Sequence, residues 1–371
     1  MLRLLPHVVS KRVTTPVYLI HFLTSKCNAR CPHCFIFGEG DPRFAGEALS
    51  LREIEQLTRR LGPEVYNVCL SGGETFLRPD IVEVCEAYLR NTSVQVLQLF
   101  TNGWFEERTV RCLDHLTRAY PDKSFALVIS IDDLHEAHDG YRRLKNGFNR
   151  ALGTYERLRD LERPNLDLDL GLTVNHQNQH RLDRIYEFLV LEKGFRTLSC
   201  TLVRGSPLDP ATKEVDLASY ERFCERIRRG LDEGELDCFK GFRGADLVNA
   251  KSVVMRELIP KTIAEGYQSP CYAGRLAGVV YANGDVYPCE ILDKPLGNLR
   301  DHGMSLPAVW ASARADAVRD FIWDSRCHCT HECFMTTNIL FNPRYYPKLL
   351  WEYAKIKLKP DIPKTRGGSA R

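Results

Sequence analysis

The chain has 371 residues, 44% of them hydrophobic and 27% charged, with a formal net charge of +3. That composition belongs to a globular protein long enough for one large α/β unit and a smaller one. Its near-balanced charge excludes a strongly basic nucleic-acid or membrane-surface binder. No stretch reaches the ~18 uninterrupted apolar residues of a membrane span. The first residues, broken by Pro6, Lys11, Arg12 and Pro16, carry no export signal. A cytoplasmic, reducing setting is expected, where fourteen cysteines read as metal or redox ligands more than as a disulfide framework.

In chain order, β-branched runs at 17–24, 65–71, 94–101, 125–132, 166–175 and 198–203 predict strands. Helical patterns at 50–61, 79–90 and 181–191 lie between them, and Ser50 and Glu53 have capping-box spacing. Six βα repeats predict a partial (β/α)6 TIM-like barrel, in preference to a complete eight-unit barrel or a Rossmann sheet. The turn-rich run RGSPLDP at 204–210 starts a helical linker, with a polar helix at 217–233. Short strands at 277–281 and 286–288 flank the turn Asn283-Gly284. The expected organisation is a core at 1–205, a linker at 206–265, a small cysteine-rich α+β module at 266–340, and a C-terminal helix with a basic tail at 341–371.

Two constellations carry chemistry. In the first, Cys27, Cys31 and Cys34 stand on one loop after the first strand. Three thiolates on a short loop suit a [4Fe–4S] cubane that keeps one iron open, whereas zinc would need a fourth ligand from elsewhere. The second comprises Cys271, Cys289, Cys327, Cys329 and Cys333. Four of these thiols suit either an iron–sulfur cluster or a zinc knuckle. Cysteines 69, 85, 112, 200, 224 and 238 have no ligand spacing and read as buried hydrophobes.

The first loop resembles the cluster loop of the radical S-adenosylmethionine (SAM) superfamily, with His33 as the aromatic before the last cysteine. The resemblance continues in order through Ser71-Gly72-Gly73-Glu74, Thr101-Asn102, Ser130 to Asp132 with Arg142, and Asn175. It implies that these residues hold SAM, with Glu74 on its ammonium and Ser130 and Arg142 on its carboxylate and ribose. It further implies reductive cleavage of SAM to a 5′-deoxyadenosyl radical, with electrons from a donor such as flavodoxin or ferredoxin. The second constellation is similar to the SPASM and shorter twitch extensions. Its back half is shorter than the full pattern, which implies one auxiliary [4Fe–4S] cluster completed by Cys333 with Cys327 or Cys329.

Two substrate classes compete: a small molecule such as a sugar, aminocyclitol or lipid precursor, and a peptide or protein. Only 16 residues precede the first strand, too few for a peptide-binding wing, which tilts expectation to the small molecule. A non-enzymatic iron–sulfur or zinc protein would have no use for the ordered SAM motifs. The aromatic and basic helix at 345–359 reads as packed on the domain, not membrane-bound. Asp132, Asp133, His135, His138 and Asp139 read as structural or SAM-facing rather than metal-binding.

Overall fold

The computed structural model describes residues 15–36, 41–240 and 244–358. The expected basic tail lies outside these. Among the described residues the strands are β1 (Tyr18–Phe22), β2 (Asn67–Ser71), β3 (Val96–Thr101), β4 (Ser124–Ser130), β5 (Leu166–Val174), β6 (Leu198–Leu202), β7 (Ala277–Val280), β8 (Asp285–Tyr287) and β9 (Gly297–Asn298). The helices are α1 (Leu51–Arg59), α2 (Ile81–Asn91), α3 (Glu106–Ala119), α4 (His135–Arg142), α5 (Gly147–Arg159), α6 (Leu182–Tyr186), α7 (Leu217–Glu233), α8 (Ala245–Glu265), α9 (Leu306–Trp310), α10 (Ala313–Asp324), α11 (Glu332–Leu340) and α12 (Tyr346–Leu358).

Residue alternation decides which way each strand faces. In β2, Val68 and Leu70 are fully buried, and in β4 Phe125, Leu127 and Ile129 are. Their neighbours Cys69, Ser71, Ala126, Val128 and Ser130 line an interior cavity instead. This period-two division is what a curved parallel sheet coated by helices requires. Each fully buried aliphatic contributes on the order of 1.5–3 kcal/mol to holding the helical layer on the sheet. Small residues on the concave side, such as Gly171 and Ala126, leave the interior open.

The strand order is β6-β5-β4-β3-β2-β1-β7-β8-β9. The first seven run parallel; β8 and β9 return antiparallel, and β6 and β9 do not meet. This is an open α/β barrel of the expected kind. One pairing departs from the sequence reading: β7 continues the main sheet, with Tyr18 opposite Ala277 and His21 opposite Val280. The cysteine-rich segment is therefore grafted onto the barrel's first strand, and Phe22 stacks on Tyr281 at 5.1 Å across that seam.

Local chemistry explains the helix ends. Ser50 and Glu53 form the expected capping box on α1. Asp216 caps α7 through Ala218 N and Ser219 N, and Gly234 in the left-handed region ends it. The helix expected at 181–191 is α6 followed by a π-helical turn over Glu187–Glu192. Among the described residues no helix is long and apolar enough to cross a membrane.

Candidate functional site

The C-terminal ends of β1 to β5 converge on the loop that carries Cys27, Cys31 and Cys34, and all three thiols line the cavity. The loop is tied down on several sides. Arg30 N donates to Arg142 O at 3.0 Å, Leu208 N to Cys34 O at 3.0 Å and Asp209 N to Pro32 O at 2.8 Å. His33 stacks on Tyr141, whose hydroxyl meets His33 Nδ1 at 2.9 Å. Ala29 N donates to Cys27 Sγ at 3.3 Å, the kind of N–H to sulfur contact that tunes an iron–sulfur cluster.

Gly72 and Gly73 bring two backbones together. Gly73 N donates to Thr24 O at 2.7 Å and Glu74 N to Lys26 O at 2.9 Å. A Cβ on Gly73 would lie 2.1 Å from Lys26 O, and one on Gly72 would lie 2.4 Å from Thr24 O. Gly72 also has φ +133°, where side chains are strained. In this chain the glycines join the β2 exit to the run leading into Cys27.

Glu74 is 1% exposed, and its carboxylate already accepts from Phe76 N, Thr101 Oγ1 and Asn102 N. Burial raises its pKa, opposed by those bonds. Asn102 Nδ2 donates to Asn28 Oδ1 at 2.8 Å, beside Cys27. Ser71, Ser130 and Thr101 line the cavity.

Two of the residues expected at SAM are held by internal contacts. Asp132 is fully buried, and its Oδ2 is 2.7 Å from Arg142 Nη2. Its Oδ1 accepts from Thr173 N at 2.9 Å. Burial works against the charge on Asp132, but Arg142, joined by His33, His138 and the Thr173 N–H, holds the pKa below the usual carboxylate range. Asn175 is also fully buried, spent on its own turn with Asn178 and Thr173. Neither lines the cavity. Arg142 does, but Asp132 partners it. Asp132 and Arg142 are thus one buried pair that orients the strand end, where the sequence reading had two separate contacts.

The C-terminal cysteines divide. Cys271 lies within electrostatic range of Cys327 and Cys329, and Cys289 of Cys271 and Cys329. Leu292 N donates to Cys289 Sγ at 3.2 Å, and backbone N–H groups of Ala273 and His331 serve Cys271 and Cys329. Cys333 lines the cavity, within electrostatic range of Glu290 and Arg204 and beside the Tyr18 hydroxyl. The sequence reading completed the ligand set with Cys333, which lines the cavity, whereas Cys271, Cys289, Cys327 and Cys329 do not. Among the described residues no three His, Cys, Asp or Glu side chains close on a single ion. Both cysteine groups, with their N–H to sulfur donors, fit an iron–sulfur cluster.

The remaining cysteines follow the sequence reading: Cys69, Cys85, Cys112, Cys200 and Cys224 are buried, and Cys238 is partly so. Deeper in the barrel stand groups that no motif marks. Arg204 bridges Glu290 at 3.3 Å and Glu332 at 3.4 Å, and His331 Nε2 meets Glu290 Oε2 at 2.8 Å. Asp169, from β5, faces the same cavity. One signal for it was legible: the Leu-Asp-Leu-Asp-Leu alternation at 166–170 puts both carboxylates on one strand face.

Family comparison agrees with this geometry. The radical SAM superfamily model matches residues 22–189, and the iron–sulfur cluster-binding SPASM domain matches residues 271–333. The chain is a radical SAM enzyme with a C-terminal SPASM domain. It is 25% identical over 288 residues to the sporulation killing factor maturation protein SkfB of Bacillus subtilis, covering 76% of this chain and 62% of that protein. It is 25% identical over 299 residues to an AdoMet-dependent heme synthase of Methanosarcina barkeri, covering 78% of this chain and 81% of the relative. Among solved structures, anSMEcpe with bound AdoMet and Kp18Cys peptide aligns with a TM-score of 0.59 at 17% identity, covering 92% and 96% of the two chains. Radical SAM membership brings SAM and a [4Fe–4S] cluster as cofactors, and the SPASM domain brings auxiliary iron–sulfur binding.

Proposed function

We propose that this enzyme modifies a peptide by radical chemistry, abstracting a hydrogen atom from a residue held inside the barrel. The observation that carries this reading is the cavity itself. At about 2960 Å³ it exceeds the roughly 300–1,000 Å³ of ordinary small-ligand sites, with room for a substrate segment beside the cofactors. Residues 197–204, which include the end strand β6, line it, so an extended chain can lie beside that strand. SkfB is named as a maturation protein and the anSMEcpe structure holds a peptide, which supports the peptide over the small molecule favoured by the short N-terminal run.

In this reading Cys27, Cys31 and Cys34 hold the SAM cluster, and Cys271, Cys289, Cys327 and Cys329 the auxiliary one. When bound, the cluster and SAM supply reductive cleavage to methionine and a 5′-deoxyadenosyl radical. The protein's own part is placement. Glu74 and the Asp132–Arg142 pair fix the strand ends around SAM, His33 on Tyr141 stiffens the loop, and the barrel wall excludes water.

The test is isotopic. Reduced enzyme is given SAM and a library of synthetic peptides deuterated at side-chain carbons. Deuterium appearing in 5′-deoxyadenosine, with a matching mass change in the peptide, supports the reading. Deuterium drawn only from tetrapyrrole or sugar substrates would overturn it.

A further inference from the structure

Most charged groups inside the barrel are paired. Arg204 satisfies Glu290 and Glu332, and Arg142 satisfies Asp132. Lys251 of α8 breaks this pattern. It is 6% exposed, lines the cavity and forms no ion pair among the described residues, although Cys333, Glu332 and Asp169 lie within electrostatic range. Arg256, one turn along α8, also lines the cavity without an ion pair among the described residues, and stands within electrostatic range of Lys251. Asp169 of β5, 2% exposed, shares the cavity; its Oδ1 has no hydrogen-bond partner, although Ser199 and Thr197 lie beside it.

A buried cation without a counter-ion costs several kcal/mol, and a buried oxygen without a donor about 1–3 kcal/mol. Folding alone gains nothing from either. Both are explained by a ligand that brings an acceptor to the lysine and a donor to the aspartate. Burial also lowers Lys251 to about 8 and raises Asp169 to about 7, so each is poised to gain from a partner. Lys251 and Arg256 bring two positive charges against at most one negative charge on Asp169, and Glu332 is shared with Arg204, so the pair calls for an anion.

We propose that Lys251, backed by Arg256, receives a carboxylate of the substrate inside the barrel, with Asp169 hydrogen-bonding the same segment. This rests on the peptide reading only in naming the carboxylate's source: an acidic side chain or the C-terminus. The site lies on the helix between barrel and SPASM segment and assigns that helix a share in specificity.

The experiment uses the reconstituted full chain and fluorescent synthetic peptides in matched pairs, Glu against Gln and free C-terminus against amide. The parent should bind the acid form of one pair roughly ten- to a hundred-fold tighter, and the pair that responds names the source. In Lys251→Met that preference should vanish, while the melting temperature holds or rises, since methionine removes a buried unpaired charge. Equal binding of both members of each pair by the parent would overturn the proposal. So would a preference kept in K251M, or a lowered melting temperature, which marks a structural lysine. If no peptide binds, N-acetylglutamate is the second probe. Stabilisation of the parent but not of K251M then retains the site and removes the peptide reading; stabilisation of neither removes both.

Discussion

Thr101 Oγ1 donates a 2.8 Å hydrogen bond to Glu74 Oε1, so the ends of β2 and β3 are joined through one buried carboxylate. Asn102 N at 2.7 Å and Phe76 N at 3.0 Å complete its coordination. Glu74→Gln must turn an amide N–H toward one of these donors. It should lose about 1–3 kcal/mol of stability and weaken SAM binding, whereas Thr101→Val, which removes one hydroxyl, should cost about 0.5–1.5 kcal/mol. Anaerobic urea unfolding and equilibrium SAM binding measure both. Parent-like stability in Glu74→Gln would show that the brace is not structural.

The contact between Gly73 and Lys26 gives a second expectation. An alanine Cβ would meet backbone oxygen at 2.1 Å, so either the β2 exit or the run into Cys27 must move. Gly73→Ala should cost a few kcal/mol, on the order of other buried backbone strain. It should also retain less iron at the first cluster. Iron content per chain decides the matter: full loading of Gly73→Ala would mean that the loop yields without disturbing Cys27.

Acid should destabilise the fold in two stages. Burial lowers His21 and His138 to about 3, well below the roughly 6.5 of an unfolded histidine. The unfolded chain therefore binds more protons between those values. Stability is full above pH ~6.5 and falls as pH drops toward 3, by up to about 1.4 kcal/mol per pH unit for each histidine. Asp132, held below the carboxylate range by Arg142, adds a loss that sets in below its unfolded pKa of roughly 3.9. His21→Gln keeps a partner for Tyr88 and should flatten the slope between pH 6.5 and 5 by one proton. An unchanged slope would exclude His21 as a contributor.

The division among the C-terminal cysteines predicts unequal metal loss. Alanine at Cys271, Cys289, Cys327 or Cys329 should diminish the iron held by the SPASM segment, about four atoms for one cubane. Cys333→Ala should keep that iron, because Cys333 lines the cavity beside the Tyr18 hydroxyl. Elemental analysis in a protein lacking Cys27, Cys31 and Cys34 isolates this site. Loss of iron from Cys333→Ala but not from Cys329→Ala would reverse the grouping, and one equivalent of zinc would replace the cluster altogether.

What was legible in the sequence was local. The six barrel strands show because alternation and turn residues act over a few positions, and the order of Cys27, Gly72, Thr101 and Ser130 at strand ends follows from them. Orientation was not legible. Asp132 and Arg142 are ten residues apart, and nothing in their spacing says that they face each other rather than a ligand. Nor does spacing show that Gly73 meets Lys26. Long-range pairing was the larger gap: β7 joins β1 across roughly 260 residues, so the hairpin of the C-terminal module extends the barrel sheet. Lys251 was hidden for the same reason, since only the folded chain shows a lysine of a linker helix buried in the cavity.

The central claim is that Cys27, Cys31 and Cys34 hold the cluster that activates SAM, and one assay tests it most directly. Anaerobically reconstituted, dithionite-reduced protein is mixed with SAM, and 5′-deoxyadenosine and methionine are quantified beside iron per chain. The parent should form both products. The variant with all three cysteines replaced by alanine should form neither and should lose about four irons while keeping those of the SPASM segment. Product formation that survives in the triple variant would contradict the assignment.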